Sequence, residues 1–241
     1  MEISLIIPAA AALSAILSLA AYKTGCLTKD GAAASFLVGA FTGIFGSLEA
    51  FVLLTVFTVS GFAATRIGVS KKKARGLQEG KSGERTWKNV AGVGIAPCII
   101  VALNLLFLMG DTLFAVAFIS TMTVAGADTI ASEIGVRDER VYLITDFRRV
   151  PPGTNGGISR LGTAVSAAGS LAIAVLGWII MEHGIGWLLL IPFAAGVAGN
   201  LLDSLFGVLL EDRGYISKYA NNCSTALLGA AFGVCIAAGY P

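Results

Sequence analysis

The chain has 241 residues, of which 56% are hydrophobic and only 13% charged, with a mean hydropathy of +0.81. A soluble domain carries about 25% charged residues, so one or two soluble domains of this length are excluded and an all-α polytopic membrane protein is expected. The net charge of +2 decides nothing until its distribution is read, and no feature points to a nucleic acid partner.

A membrane span needs about 20 apolar residues, and roughly 17–25 is the usual range. Eight segments qualify in chain order: 3–21, 31–46, 48–66, 90–109, 112–131, 161–181, 185–209 and 223–239. The first resembles a signal peptide in apolar length but lacks a basic leader and a polar sequel, so it is expected to be retained. The second is short, and the seventh is long enough to tilt or break. Turns are expected at Gly46-Ser47, Gly110-Asp111 and His183-Gly184. Thirty glycines suit helices that approach closely in a bilayer.

All seventeen Lys and Arg fall in 22–30, 66–89, 132–160 and 210–222, and none lies in the intervening connectors, which carry Glu49, Asp111 and Glu182. The bias of basic residues to the cytoplasmic side makes these four segments cytoplasmic and both termini external. The whole chain is then one integral-membrane domain with large cytoplasmic loops at 66–89 and 132–160. Cys26, Cys98, Cys223 and Cys235 form no CxxC pair and have one histidine, His183, for company. They are expected to be packing residues, without zinc.

The stretch "VAGADTIASEIG" (124–135) puts Asp128 and Glu133 at the end of an apolar run, and "VAGNLLDSLFG" puts Asp203 at the end of another. Counted from the opposite ends of their spans, Asp128 and Asp203 both lie roughly 24–27 Å into a core of about 30 Å. Intramembrane acids are functional candidates by default. Asn200, Asp203 and Ser204 share one helix face, Asp128 and Ser132 share another, and Thr129 and Glu133 a third. Asp128 and Glu133 are about 140° apart on a regular helix, so one ligand can touch both only if the helix ends between them.

"DFRRVPPGTNGGISRLGT" (146–163) follows. Its two prolines forbid a helix, its glycines tolerate positive φ, and Ser159 can cap the next span. A Gly-rich loop feeding a helix N-terminus suits an anion. Arg148, Arg149 and Arg160 crowd the same place, and Arg160 opposes the helix dipole unless an anion sits between. Paired carboxylates, a phosphate-type loop and arginines on one face suggest Mg²⁺ bridging nucleotide phosphates in phosphoryl transfer, with the second substrate drawn from the lipid. Lys71, Lys72 and Lys73 suit anionic headgroups, while Arg85 and Lys23 lie nearer to helix ends and within reach of phosphate.

"LTKDGAAASFLVG", "ADTIASEIG", "VPPGTNGGISRLGT", "LLDSLFG" and "NNCSTALLGAAFG", in that order, resemble the transmembrane protein 19/phytyl-phosphate kinase family over nearly the whole chain. One departure is at "RTWKNVAGVG", where Asn89 and Val93 stand in place of the family's Gln and Asn. The resemblance implies transfer of a phosphoryl group from CTP to a long-chain prenyl monophosphate, in isoprenoid lipid or quinone metabolism. It implies Mg²⁺ on Asp128 and Asp203, with Glu133 as a third ligand or a positioning residue. Gly153, Thr154, Asn155, Gly156, Gly157 and Ser159 would cradle the phosphates. Arg148, Arg149 and Lys23 would neutralise charge. Thr129, Ser132, Asn200, Ser204, Asn222, Asn89 and Arg85 would line the pocket, and an apolar groove would take the prenyl tail. A cytidylyltransferase making a CDP-lipid and an ion-coupled transporter are the competing readings. Homo-oligomerisation is left open.

Overall fold

A computed structural model describes residues 3–74, 76 and 83–239. Its helices are α1 (Ile3–Lys23), α2 (Lys29–Phe41), α3 (Leu48–Ala74), α4 (Trp87–Phe107), α5 (Asp111–Ile134), α6 (Arg160–Glu182), α7 (Leu190–Phe206) and α8 (Lys218–Ala237). Each predicted segment has its helix. Six of them, α3 to α8 with their adjoining turns, are long and apolar enough to cross a membrane. Helix α2 has only 13 residues and is prolonged by a π turn, Thr42–Gly46.

The turns form as expected. Gly110 takes a positive φ of 80° ahead of α5, and His183 ends α6 at 55°. The four cysteines are free. Segment 66–89, expected as a loop, starts as helix: α3 runs on to Ala74 and carries Lys73 exposed. Residues 75 and 77–82, and the side chains of Lys71 and Lys72, lie outside the described residues.

The hub of the bundle is α5. In its membrane-length window 83% of residues are buried, against 33–39% in the other five, so it is enclosed by protein while its neighbours face outward. It packs against α3, α4, α6, α7 and α8. Small residues permit the approach: a Cβ on Gly199 of α7 or Gly229 of α8 would collide with Val124 of α5. Interhelical hydroxyl bonds add direction. Thr123 Oγ1 donates to the Pro192 carbonyl (2.7 Å) and Ser170 Oγ to that of Phe193 (2.9 Å).

The basic connectors gather at one end. Arg66 Nη2 donates to the Thr24 carbonyl (2.9 Å), a parallel bridge joins Leu27 to Arg85, and Asn155 Nδ2 donates to Asp212 Oδ1 (2.9 Å). Segment 132–160 is more than a loop. It folds into three antiparallel strands, β1 (Val141–Leu143), β2 (Arg149–Val150) and β3 (Gly157–Ser159), in the order β2-β1-β3. Val141 pairs with both Val150 and Ser159, and Leu143 with Gly157. Val141 and Leu143 are buried with Tyr142 exposed between them, the alternation a half-covered strand requires.

Candidate active site

The sheet hangs the Gly-rich loop over a cavity of about 460 Å³ between α5, α7 and α8. Pro151 and Pro152 break the chain, and Gly153 and Gly156 then take φ values of +87° and +68°. At Gly156 a side chain is excluded twice, by that φ and by collision with Val208. Asn155 pins the loop to α7's end: its Nδ2 donates to the Gly207 carbonyl (3.1 Å) as well as to Asp212. Thr154 Oγ1 donates to the Pro151 carbonyl (2.7 Å), closing the turn.

Asp128, Ser132, Asn200, Asp203, Ser204 and Asn222 line this cavity with Gly153, Thr154, Asn155, Gly156, Gly157 and Ser159. The two aspartates come from different helices and lie close enough to interact electrostatically. Thr225 Oγ1 lies 3.4 Å from Asp203 Oδ1.

Glu211, Asp212 and Lys218 also line the cavity, and sequence reasoning missed them. Glu211 follows Asp203 by eight residues, about 80° off its face on a regular helix, whereas seven would be about 20° off. Between them the chain forms a π turn, Gly207–Glu211, whose wider ring absorbs one extra residue. Glu211 thereby takes the seventh place and faces the cavity with Asp203. The acidic pair "ED" after the span was the available signal, but the π turn was not legible.

Three expectations are corrected. Helix α5 is unbroken through Ile134, so Glu133 points away from Asp128. It is 5% exposed, accepts from Thr65 Oγ1 (3.1 Å) and pairs with Arg85 Nη2 (3.5 Å). It does not join the aspartates, and among the described residues no three of His, Cys, Asp and Glu form a metal cluster by themselves.

The expected cations are elsewhere too. Arg148 is exposed and paired with Asp146 (3.4 Å). Arg149 lies in a surface depression with Glu139, Pro151 and Pro152. Lys23 is exposed at the end of α1.

Two N–H groups at the start of α6 have partners within the chain. Ser159 Oγ accepts from the Gly162 N–H (3.0 Å) and Asp138 Oδ2 from the Leu161 N–H (3.3 Å). Asp138 thus brings a carboxylate to the helix start that also carries Arg160. Its carboxyl is held below its usual range by the backbone N–H groups of Arg140 and Leu161.

Thr129, Arg85 and Asn89 line a second space, an apolar groove of about 260 Å³ bounded by α1 to α5. Along α1 it runs from Ser14 to Thr24, ten residues or about 15 Å, which is half of a bilayer core of about 30 Å. Asn89 Oδ1 accepts from the Thr86 N–H (3.0 Å) and Oγ1 (3.0 Å), so it serves to start α4. Across that start Asp30 Oδ2 accepts from the Trp87 N–H (3.1 Å).

The family model described as "Integral membrane protein DUF92" matches residues 12–232. An uncharacterised membrane protein of Methanocaldococcus jannaschii is 32% identical over 222 residues, 92% of this chain and 90% of its own. Protein VTE6, chloroplastic, of Arabidopsis thaliana is 30% identical over 216 residues, 88% of this chain and 64% of its own. Protein PGR of the same plant is 30% identical over 228 residues, 85% of this chain and 79% of its own. No solved structure matches.

Proposed function

Because this chain belongs to the integral membrane protein family DUF92, we propose that it transfers the γ-phosphoryl group of a nucleoside triphosphate, CTP in the first instance, to a long-chain prenyl monophosphate. The observation that carries the reading is that Asp128 and Asp203, from separate helices, share one cavity with a glycine-rich loop. The resemblance to the prenyl-phosphate kinases supplies the substrates.

The donor set suits a hard cation: the cavity offers Asp128, Asp203 and Glu211 oxygens and no His or Cys. Asp128 and Asp203 would hold Mg²⁺, which when bound would supply positive charge to offset the charge of a loose transition state. The residues do the rest. Backbone N–H groups of Gly153, Asn155 and Gly156 would face the triphosphate, since those of Thr154 and Gly157 already donate to the Pro151 and Thr154 carbonyls, and Asn155 holds the loop in place. Lys218, a cation on the cavity wall, takes the neutralising role expected of Arg148, Arg149 and Lys23.

A phosphate oxygen of the lipid attacks the γ-phosphorus, the bond to the β–γ bridging oxygen breaks, and the nucleoside diphosphate leaves. The nucleophile is already ionised, so no strong general base is needed. The apolar groove would take the tail, its depth matching one leaflet, with the phosphate at the end lined by Thr24 and Arg85. That end faces the cytoplasm on the distribution of Lys and Arg. Cysteine labelling of the 66–89 segment from outside intact cells would refute the orientation.

The test uses purified protein in detergent with Mg²⁺, radiolabelled CTP and a C20 prenyl monophosphate. CDP with prenyl diphosphate is the expected product. Pyrophosphate with a CDP-lipid would move the reaction to cytidylyl transfer. No turnover with several nucleotides and chain lengths would overturn the enzyme reading and direct attention to ion transport.

A further inference from the structure

Asn221 lies one residue before the pocket residue Asn222, on the buried side of α8. It is 1% exposed. Its Nδ2 donates to the backbone carbonyl of Asp203 (3.0 Å), and its side chain also reaches the Glu211 carboxylate. These two acceptors orient the amide. Exchanging its oxygen and nitrogen would turn Oδ1 against two oxygens, so the oxygen belongs on the other branch.

That Oδ1 is buried and accepts no hydrogen bond. A buried acceptor without a donor is destabilising, and a native structure that keeps one usually holds a water or an ion there. Its neighbours argue for the ion. Asp203 lines the acidic cavity with Asp128 and Glu211, and a neutral amide oxygen beside carboxylates is an ordinary ligand for a hard divalent cation. A cation also relieves the repulsion of clustered acids, which a water does not. Thr225 steadies the group from below: its Oγ1 donates to the Asn221 carbonyl (3.0 Å) and approaches Asp203.

We infer that Asn221 Oδ1 is a ligand of a divalent cation held with Asp203 and Asp128, in the place the sequence suggested for Glu133. The inference rests on the phosphoryl-transfer reading only for the cation's role, not for its binding.

The probe is Mn²⁺ alone, titrated into purified full-length protein and followed by electron paramagnetic resonance, with folding checked by gel filtration and helical circular dichroism. Asn221→Leu, close in size but without an oxygen, is expected to weaken Mn²⁺ binding at least about tenfold. Asn221→Asp is expected to tighten it several-fold by adding a negative ligand. Wild-type affinity in the leucine variant overturns the inference and leaves a water as the occupant. Should the leucine variant not fold, the aspartate variant decides alone, and an unchanged or weaker affinity overturns the inference. Turnover by wild type with Mn²⁺ affinity indifferent to Asn221 sinks this inference and spares the kinase reading. No Mn²⁺ binding by wild type sinks the cation reading and this inference with it.

Discussion

Asp128 and Thr129 are neighbours in the chain, yet the first lines the acidic cavity and the second the apolar groove. Four residues on, Ser132 repeats the first environment, while Glu133 follows Thr129 to the groove side and its Arg85 partner. The helix between them is regular, so its rotation alone separates two chemistries. The difference teaches what an acid near a membrane can be for. Asp128 shares its cavity with the acids Asp203, Glu211 and Asp212, whereas Glu133 faces one arginine and one threonine, Arg85 and Thr65. Substituting the two faces should give different phenotypes.

The largest effect is expected on the cavity side. Asp128→Asn and Asp203→Asn should each lower kcat by at least about 10²–10³-fold with helical content and elution volume unchanged. Full activity in either variant would remove that residue from the site. On the other face Glu133→Gln should leave activity per folded molecule near wild type and cost stability instead. Removing one partner of a buried pair costs about 3–5 kcal/mol, and Arg85, at 21% exposure, brings the expectation to the lower end, read from unfolding in detergent. A Glu133→Leu/Arg85→Met pair should recover much of that loss.

Groove and cavity should also separate in kinetics. Thr58→Trp, which narrows the groove, should raise KM for the lipid about tenfold and leave KM for the nucleotide within about twofold, an estimate scaled from the loss of a few buried methylenes. A matching rise for the nucleotide would mean that the two spaces are one.

The smallest effects belong to the cations and the cap. Arg149→Ala and Lys23→Ala should change kcat/KM by less than about threefold, in line with exposed charges at a distance. The depressed carboxyl of Asp138 contributes stability that is present above its unfolded value and lost as pH falls through the folded one, below about pH 4. Asp138→Asn should therefore lower Tm at neutral pH and flatten its decline in acid.

Much of this arrangement was legible because hydropathy and helical periodicity are long signals. Eight segments and the gathering of basic connectors at one end needed only run length and charge. Asp128 facing Ser132, and Thr129 facing Glu133, followed from 100° steps. What escaped was short or non-periodic. Strands of two and three residues fall below any alternation that can be recognised. Asp138 caps α6 from twenty-three residues away, a partnership no local window contains. Arg148 and Arg149 looked like phosphate ligands because they precede the loop, but the β1–β2 hairpin, turned through Phe147 at φ 55°, carries them out beyond the cavity.

The π turn at Gly207–Glu211 also constrains how this chain can change length. In most membrane helices a residue gained or lost near the end is absorbed in the following connector. Here Glu211 faces Asp203 only because one supernumerary residue is stored in the helix itself. Deleting Leu209 would restore a plain α-helix and bring Glu211 from eight to seven positions after Asp203, so its facing would survive while Gly207 and Val208 lost the widened backbone under the Gly-rich loop. An insertion at the same point would instead rotate Glu211 by about 100°, out of the acidic group. The end of α7 should thus accept a shortening more readily than a lengthening, the reverse of what surface loops tolerate.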